Sequence, residues 1–151
     1  MAAKLLEVCV SETKGVQKKP VEKAVLRPGF GIEGDAHAGD WHRQVSLLAN
    51  ESAERMRQMG AAVGPGDFGE NLLTEGIALV ALPIGTRLRV GEAELEVTQI
   101  GKECHTRCAI FYAAGTCVMP TEGIFCRVLK GGTVARGALI ETIDSPADLP
   151  H

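Results

Sequence analysis

Apolar and polar residues alternate along this chain in short runs separated by glycine and proline. Leu6, Val8 and Val10 fall on one face and Glu7 and Cys9 on the other, the period-2 pattern of a half-buried strand over residues 4–10. Val21, Lys23 and Val25 share one face of a second strand, with Glu22, Ala24 and Leu26 on the opposite face. Pro28-Gly29 ends it. A polar, glycine-rich stretch over residues 29–40 then precedes a short apolar run, residues 45–49. Asn50 is placed to cap a helix over residues 51–59, and Gly60 to stop it. The clearest hairpin joins residues 87–90 to 94–100 through Gly91-Glu-Ala, with Leu88 and Val90 matched to Leu95 and Val97. A second short helix is expected over residues 105–114. A last hairpin is expected between residues 124–129 and 133–143 around Lys130-Gly-Gly132. Many short strands with two small helices predict a mainly β fold, a barrel or a sandwich.

The length, 151 residues, suits one domain that buries its own core without disulfide or metal staples. Residues 1–143 form that domain, and residues 144–151, with two prolines, read as a flexible C-terminal tail. Sixteen Lys and Arg against 19 Asp and Glu give a net charge of −3, which offers no general attraction for nucleic acid or anionic lipid. Hydrophobic residues at 45% and charged residues at 23% exclude a disordered chain. No apolar run is long enough to span a bilayer, and the first residues lack the apolar region of a signal peptide. These features give the expectation of a cytoplasmic protein whose five cysteines are reduced thiols.

Gly29-Phe-Gly31-Ile-Glu-Gly34 fits the dinucleotide pattern G-x-G-x-x-G, but polar loop sequence follows where a phosphate-binding helix is required. Asp35, His37, Asp40 and His42 lie within eight residues, a set that suits a metal or anion site or a solvated polar loop. Cys104 stands between a strand and the expected helix. The helix dipole and the nearby Lys102, His105 and Arg107 lower the pKa of a thiol so placed and favour thiolate. Cys108, one helical turn on, and Cys117 could join Cys104 around zinc or iron; alternatively Cys108 packs inward beside Ile110 and Phe111. Cys9 and Cys126 read as small strand residues. Glu70-Asn71 is a polar pair at a strand entry. Arg127, set among Ile124, Phe125, Val128 and Leu129, either points inward to a carboxylate or phosphate or faces solvent.

In order and spacing these motifs resemble the MOSC domain, the module named after the C-terminal part of molybdenum cofactor sulfurases. The resemblance runs through Gly31-Ile-Glu-Gly-Asp35-Ala-His37, His42-Arg43-Gln44, Gly66-Asp-Phe-Gly-Glu70-Asn71, Ile84-Gly-Thr-Arg-Leu-Arg-Val-Gly91, Cys104 and Arg127-Val-Leu-Lys-Gly-Gly132. It covers nearly the whole chain and looks like the short stand-alone bacterial branch. It implies a MOSC-type β-barrel with a few short helices that binds the molybdenum cofactor (molybdopterin) or carries sulfur in its maturation. In that reading Cys104 is the catalytic residue, a persulfide carrier or a metal-ligating thiolate. Asp35, His37, Arg43, Glu70, Asn71 and Arg127 line the cofactor pocket. The implied partners are a cysteine desulfurase, which supplies the pyridoxal phosphate chemistry, and a molybdoenzyme or cofactor-biosynthesis protein. The other readings are a cofactor-dependent reductase and a zinc or iron module built on Cys104, Cys108 and Cys117.

Overall fold

The computed structural model describes residues 3–13, 16–58, 60, 64–101 and 122–144. The expected helix over residues 105–114, Cys104, Cys108, Cys117 and the tail beyond Asp144 lie outside the described residues.

Eight strands form one sheet: β1 (Ala3–Val10), β2 (Lys19–Val21), β5 (Val45–Ala49), β6 (Leu72–Glu75), β7 (Arg87–Val90), β8 (Ala93–Ile100), β9 (Ile124–Lys130) and β11 (Leu139–Asp144). Their order is β11-β7-β8-β9-β5-β6-β1-β2, and β1 also pairs with β11. That last pairing closes seven strands into a barrel and leaves β2 as a short extension of β1. Closure removes the open edges that would otherwise invite pairing with another chain. Among the described residues every pairing is antiparallel except β5 with β6, where Leu47, Leu48 and Ala49 run parallel to Leu72, Leu73 and Thr74. A second, three-stranded sheet, β10-β3-β4, joins β10 (Gly132–Ala135), β3 (Lys23–Arg27) and β4 (Gly31–Ile32). The helix α1 (Asn50–Gln58) packs on β5 and β6.

The core is aliphatic. Leu5, Val8, Val45, Leu47, Leu72, Leu88, Val90, Leu95, Val97, Ile124, Val128 and Ile140 belong to one buried cluster inside the barrel. All five residues of β5 are buried: Val45, Leu47 and Ala49 face the core, and Ser46 on the other face is held against Gly69 and Asn71.

Three expectations need correction. Leu6 and Val8 do not share a buried face: Leu5 and Val8 are fully buried and Leu6 only partly. A bulge between Leu5 and Glu7, where β1 meets β6, inserts the residue that breaks the alternation. The second strand is two, β2 and β3, divided at Glu22, with Ala24 and Leu26 buried. The last hairpin is absent. Residues 133–143 divide into β10, which pairs with β3, and β11, which pairs with β7 and β1. A turn at Arg136-Gly137-Ala138 carries the chain from one sheet to the other, with Gly137 N–H donating to Leu5 O and Ala138 N–H to Ala135 O. The hairpin of β7 and β8 forms as expected with Leu88 opposite Leu95, while Val90 faces Ala93.

Candidate functional site

The site is built on the loop that leaves β4 and enters β5, residues 33–44. Gly31 opens it with φ +121°, and a Cβ there would meet Gln44 O at 2.9 Å and Ala38 Cα at 3.3 Å. This glycine is required so that the two ends of the loop can touch, a role unrelated to dinucleotide phosphates. Gln44, buried, fastens the loop's exit: its Nε2 donates to Gly39 O (3.0 Å) and its Oε1 accepts from Val128 N–H (2.9 Å).

Asp35 is buried at the start of the loop. Its Oδ1 accepts from Lys18 Nζ (2.8 Å) and Ser11 N–H (3.1 Å), and its Oδ2 from His37 N–H (3.0 Å). Lys18 is itself buried, with side-chain exposures of 1% for the lysine and 0% for the aspartate, and it also donates to Ser11 Oγ. Burial alone would raise the Asp35 carboxyl. The nearby His37 ring, the Lys18 ammonium and the His37 backbone N–H overcome that and hold it well below the usual carboxylate range. His37 Nδ1 stands 3.7 Å from Asp35 Oδ2, too far for a hydrogen bond, and is buried with no hydrogen-bond partner among the described residues.

Trp41 fills the middle of the loop. Its Nε1 donates to His37 O (2.7 Å) and its ring stacks on His37 with 7° between planes. The Arg43 guanidinium lies 4.7 Å from the Trp41 ring centre and 5.7 Å from that of Phe125, on the outer face of β9. Arg43 Nε is also buried with no hydrogen-bond partner among the described residues. His42 is exposed and pairs with Gln99 (2.8 Å), whose own Nε2 donates to Gly101 O. Gly101 N–H donates to Gly123 O, so β8 and β9 are joined where the chain leaves for and returns from residues 102–122, the stretch that contains Cys104.

Asp35, His37 and Arg43 are therefore brought together on one loop. Glu70 and Asn71 are buried and bond to residues outside that loop. Asn71 Oδ1 accepts from Ser46 N–H (3.0 Å) and Oγ (3.1 Å), and its Nδ2 donates to Cys9 O (3.0 Å), which pins β5 to β1. Glu70 Oε2 accepts from Gly66 N–H (2.9 Å) and Oε1 from Phe68 N–H (3.2 Å), closing the turn before β6. Arg127 faces outward and pairs with Glu96 across β8 and β9 (2.7 Å). Asp40 and His42 do not converge with Asp35 and His37: among the described residues no three His, Cys, Asp or Glu side chains are grouped to hold a metal ion. Burial raises the thiol pKa of Cys9 and Cys126, which suits small strand residues and not reactive ones.

Lys18, Ser11 and Trp41 were not among the expected site residues. Lys18-Lys19-Pro20 has the look of a solvated basic run, and nothing in the pattern marks Lys18 as the buried member. Trp41 did carry a signal, as the only tryptophan in a chain with 4% aromatic residues.

A sequence model of the MOSC domain matches residues 34–141. The chain is similar to the uncharacterized protein YflK of Bacillus subtilis (strain 168), 26% identical over 140 residues; the match takes in 85% of this chain and 63% of the length of that protein. Among solved structures, the YUAD protein of Bacillus subtilis superposes with a TM-score of 0.77 at 23% identity, covering 93% of this chain and 94% of that one. YiiM from Geobacillus stearothermophilus superposes with a TM-score of 0.72 at 18% identity, covering 94% of this chain and 75% of that one. At these identities the structural likeness establishes the fold. No described helix is long and apolar enough to cross a membrane.

Proposed function

The chain belongs to the MOSC domain family, and from that premise we propose that it is a molybdenum-cofactor binding module acting in cofactor maturation, with Cys104 as its sulfur-carrying or metal-ligating thiolate. One observation carries the proposal. The loop over residues 35–43 gathers His37, Trp41 and Arg43, and two of its buried nitrogens, His37 Nδ1 and Arg43 Nε, have no hydrogen-bond partner among the described residues. Buried polar atoms of this kind are rare in a folded protein and call for an outside partner. The one buried carboxylate of the loop is already matched by Lys18, so the site does not repel an anion.

That donor set fits a group with a phosphate and a planar ring. Arg43 offers a guanidinium for bidentate contact with phosphate, His37 a ring N–H, and Trp41 an aromatic face beside them. Arg43 and His37 would hold the cofactor, and bound there it would supply a metal able to take sulfur ligands and change oxidation state. Glu70 holds the turn before β6 and Asn71 holds β5 against β1, and Arg127 would act at the loop's margin, two residues along β9 from Phe125.

For sulfur transfer, the Cys104 thiolate would attack the outer sulfur of a persulfide on a cysteine desulfurase. A new S–S bond forms at Cys104 and the desulfurase cysteine leaves as thiolate. The pyridoxal phosphate chemistry that releases sulfur from cysteine belongs to that partner, and a molybdoenzyme or cofactor-biosynthesis protein would receive the product.

Intact mass of anaerobically purified protein, native and denatured, tests this before and after incubation with a cysteine desulfurase and cysteine. The expected result is added sulfur that is absent in Cys104→Ser, or a non-covalent pterin mass that is lost in Arg43→Ala. Zinc or iron at unit stoichiometry, with neither sulfur nor pterin, would overturn the proposal in favour of a metal module.

A further inference from the structure

The loop over residues 35–43 leads into one end of β5, and α1 follows at the other. There α1 and the chain that leaves β6 enclose a groove. Two adjoining cavities make it up, of about 530 Å³ and about 450 Å³, and Glu51, Arg55 and Gly76 line both. Each falls within the range of about 300–1,000 Å³ that binding pockets occupy. The local sequence explains the shape. Gly76, with φ +86°, turns the chain out of β6, and its N–H donates to Glu51 Oε2 (3.0 Å) in the first turn of α1. Beyond that bond Leu79 turns into the core, while Val80 stays 46% exposed.

The groove has an apolar end and an acidic end. Ala49, Ile77, Leu79 and Val80 line the first cavity beside a polar trio that answers its own charge. Ser52 Oγ donates to Glu122 Oε1 (3.1 Å), and Arg55 pairs with the same carboxylate and donates to Ser52 Oγ. The second cavity adds Glu54 and Glu75, so that across both cavities four carboxylates face the one guanidinium of Arg55. Just outside, Arg57 pairs with Glu54, and Lys4 lies opposite Glu75 where β1 meets β6. Glu51 has no cation against it among the described residues; its one hydrogen bond there is to a backbone amide.

We propose that this groove is a docking site for a segment of a partner protein that carries an apolar side chain among lysines and arginines. The apolar side chain enters the cavity against Leu79 and Val80, and the basic residues face Glu51 and Glu75. Charge complementarity selects such a segment over an acidic one and steers its approach. The position suits sulfur transfer. Glu122, in the wall of the groove, is where the chain returns from residues 102–121, the stretch that contains Cys104. A partner docked there is held beside the return of that stretch, and the length of β5 separates it from the loop over residues 35–43. This purpose rests on the reading of Cys104 as a sulfur carrier. Occupancy of the groove does not, and its test uses neither cofactor nor sulfur, so either can fail without the other.

The experiment titrates the whole protein into a short dansylated peptide of leucine pairs set between lysines and follows fluorescence anisotropy. The wild type is expected to bind it, and to bind neither the same peptide with glutamate for lysine nor the one with serine for leucine. Val80→Asp, which brings a charge to the apolar wall, should weaken binding about tenfold. Glu51→Gln with Glu75→Gln should weaken it about tenfold as well and flatten its dependence on salt. The amide oxygen at position 51 still accepts from Gly76 N–H, so the groove keeps its shape. Glu94→Gln with Glu141→Gln removes equal charge from the outer face of β8 and β11 and should leave binding unchanged. No binding by the wild type, as when the chain's own residues fill the groove, overturns the docking site. So does equal binding of either control peptide, binding that survives either groove variant, or binding lost equally in the Glu94 and Glu141 pair. Sedimentation of the free protein covers the remaining occupant: a dimer that Val80→Asp splits would give the groove to a second copy of the chain and likewise overturn the proposal.

Discussion

Lys18 is the buried cation that faces the loop's buried carboxylate. It places an ammonium in the interior opposite one carboxylate, an arrangement that only the pair makes tolerable. Removing one partner leaves the other charge buried alone, so Lys18→Met should cost about 3–5 kcal/mol in urea unfolding. The double change Lys18→Met with Asp35→Asn should recover part of that loss, because the amide carries no charge and its oxygen can still accept one of the Ser11 and His37 amides that Asp35 holds. If the double variant is no more stable than Lys18→Met, the cost lies in packing and not in charge. The same residue shows where sequence reasoning ran out. Asp35 and His37 stood out with Asp40 and His42 as polar side chains in a glycine-rich loop, and Arg43 entered only through the family resemblance. Lys18 did not stand out, since its burial is decided by Gly66, about fifty positions further along the chain. Glu70 and Asn71 were singled out as a polar pair, but no pattern distinguishes a side chain that touches a ligand from one that pins the backbone behind it.

At the level of elements, the strands that read well are those with a period-2 pattern and a local turn, such as β7 and β8. The strands that read poorly are those whose partner is distant. β10 and β11 look like one continuous strand, and only the second sheet, through β3, explains why the chain changes layer between them. The outward faces follow a rule visible only once the register is known. Glu141, Arg89, Glu94 and Lys130 form one row across β11, β7, β8 and β9, and Arg87, Glu96 and Arg127 lie along the next. Alternating charge along both rows accounts for Arg127 as a cross-strand partner of Glu96. Turn chemistry gives a sharper test of how elements are held. Gly66 and Gly29 both have positive φ, +82° and +66°, but nothing lies within 4 Å of a Cβ built on Gly29. Gly29→Ala should therefore cost about 1–2 kcal/mol, the left-handed penalty alone. Gly66→Ala adds a collision with the Lys18 carbonyl and should lower the melting temperature far more, with loss of the native Trp41 emission. Equal effects for the two would mean that the turn shifts freely and grips nothing.

Among the described residues, Asp35 and Glu70 couple stability to pH in opposite senses. Asp35 has a folded-state pKa below its ordinary value of 3.8, so it adds stability above about pH 4 that is lost as pH falls through the acid range. Glu70 has a folded-state pKa raised from 4.5 to about 7, so the folded chain keeps a proton that the unfolded chain has given up. Its contribution is full below about 4.5 and is lost as pH rises through 7. Across that window the slope from this one group reaches on the order of 1.4 kcal/mol per pH unit. Thermal melts at intervals from pH 4 to 8 should therefore show wild-type stability falling, relative to Glu70→Gln, as pH rises from about 5 to 7.5. Above that range the difference should be constant, because the group is then ionised in both states. The amide of Glu70→Gln carries its own fixed penalty, since its NH₂ faces a backbone donor, but that offset does not vary with pH. The test therefore lies in the change of the difference across the window and not in its size at any one pH. A difference that stays level from pH 5 to 8 would show that Glu70 ionises in the folded barrel as easily as in the unfolded chain. In that case the missing counter-ion is supplied by something other than the residues around it.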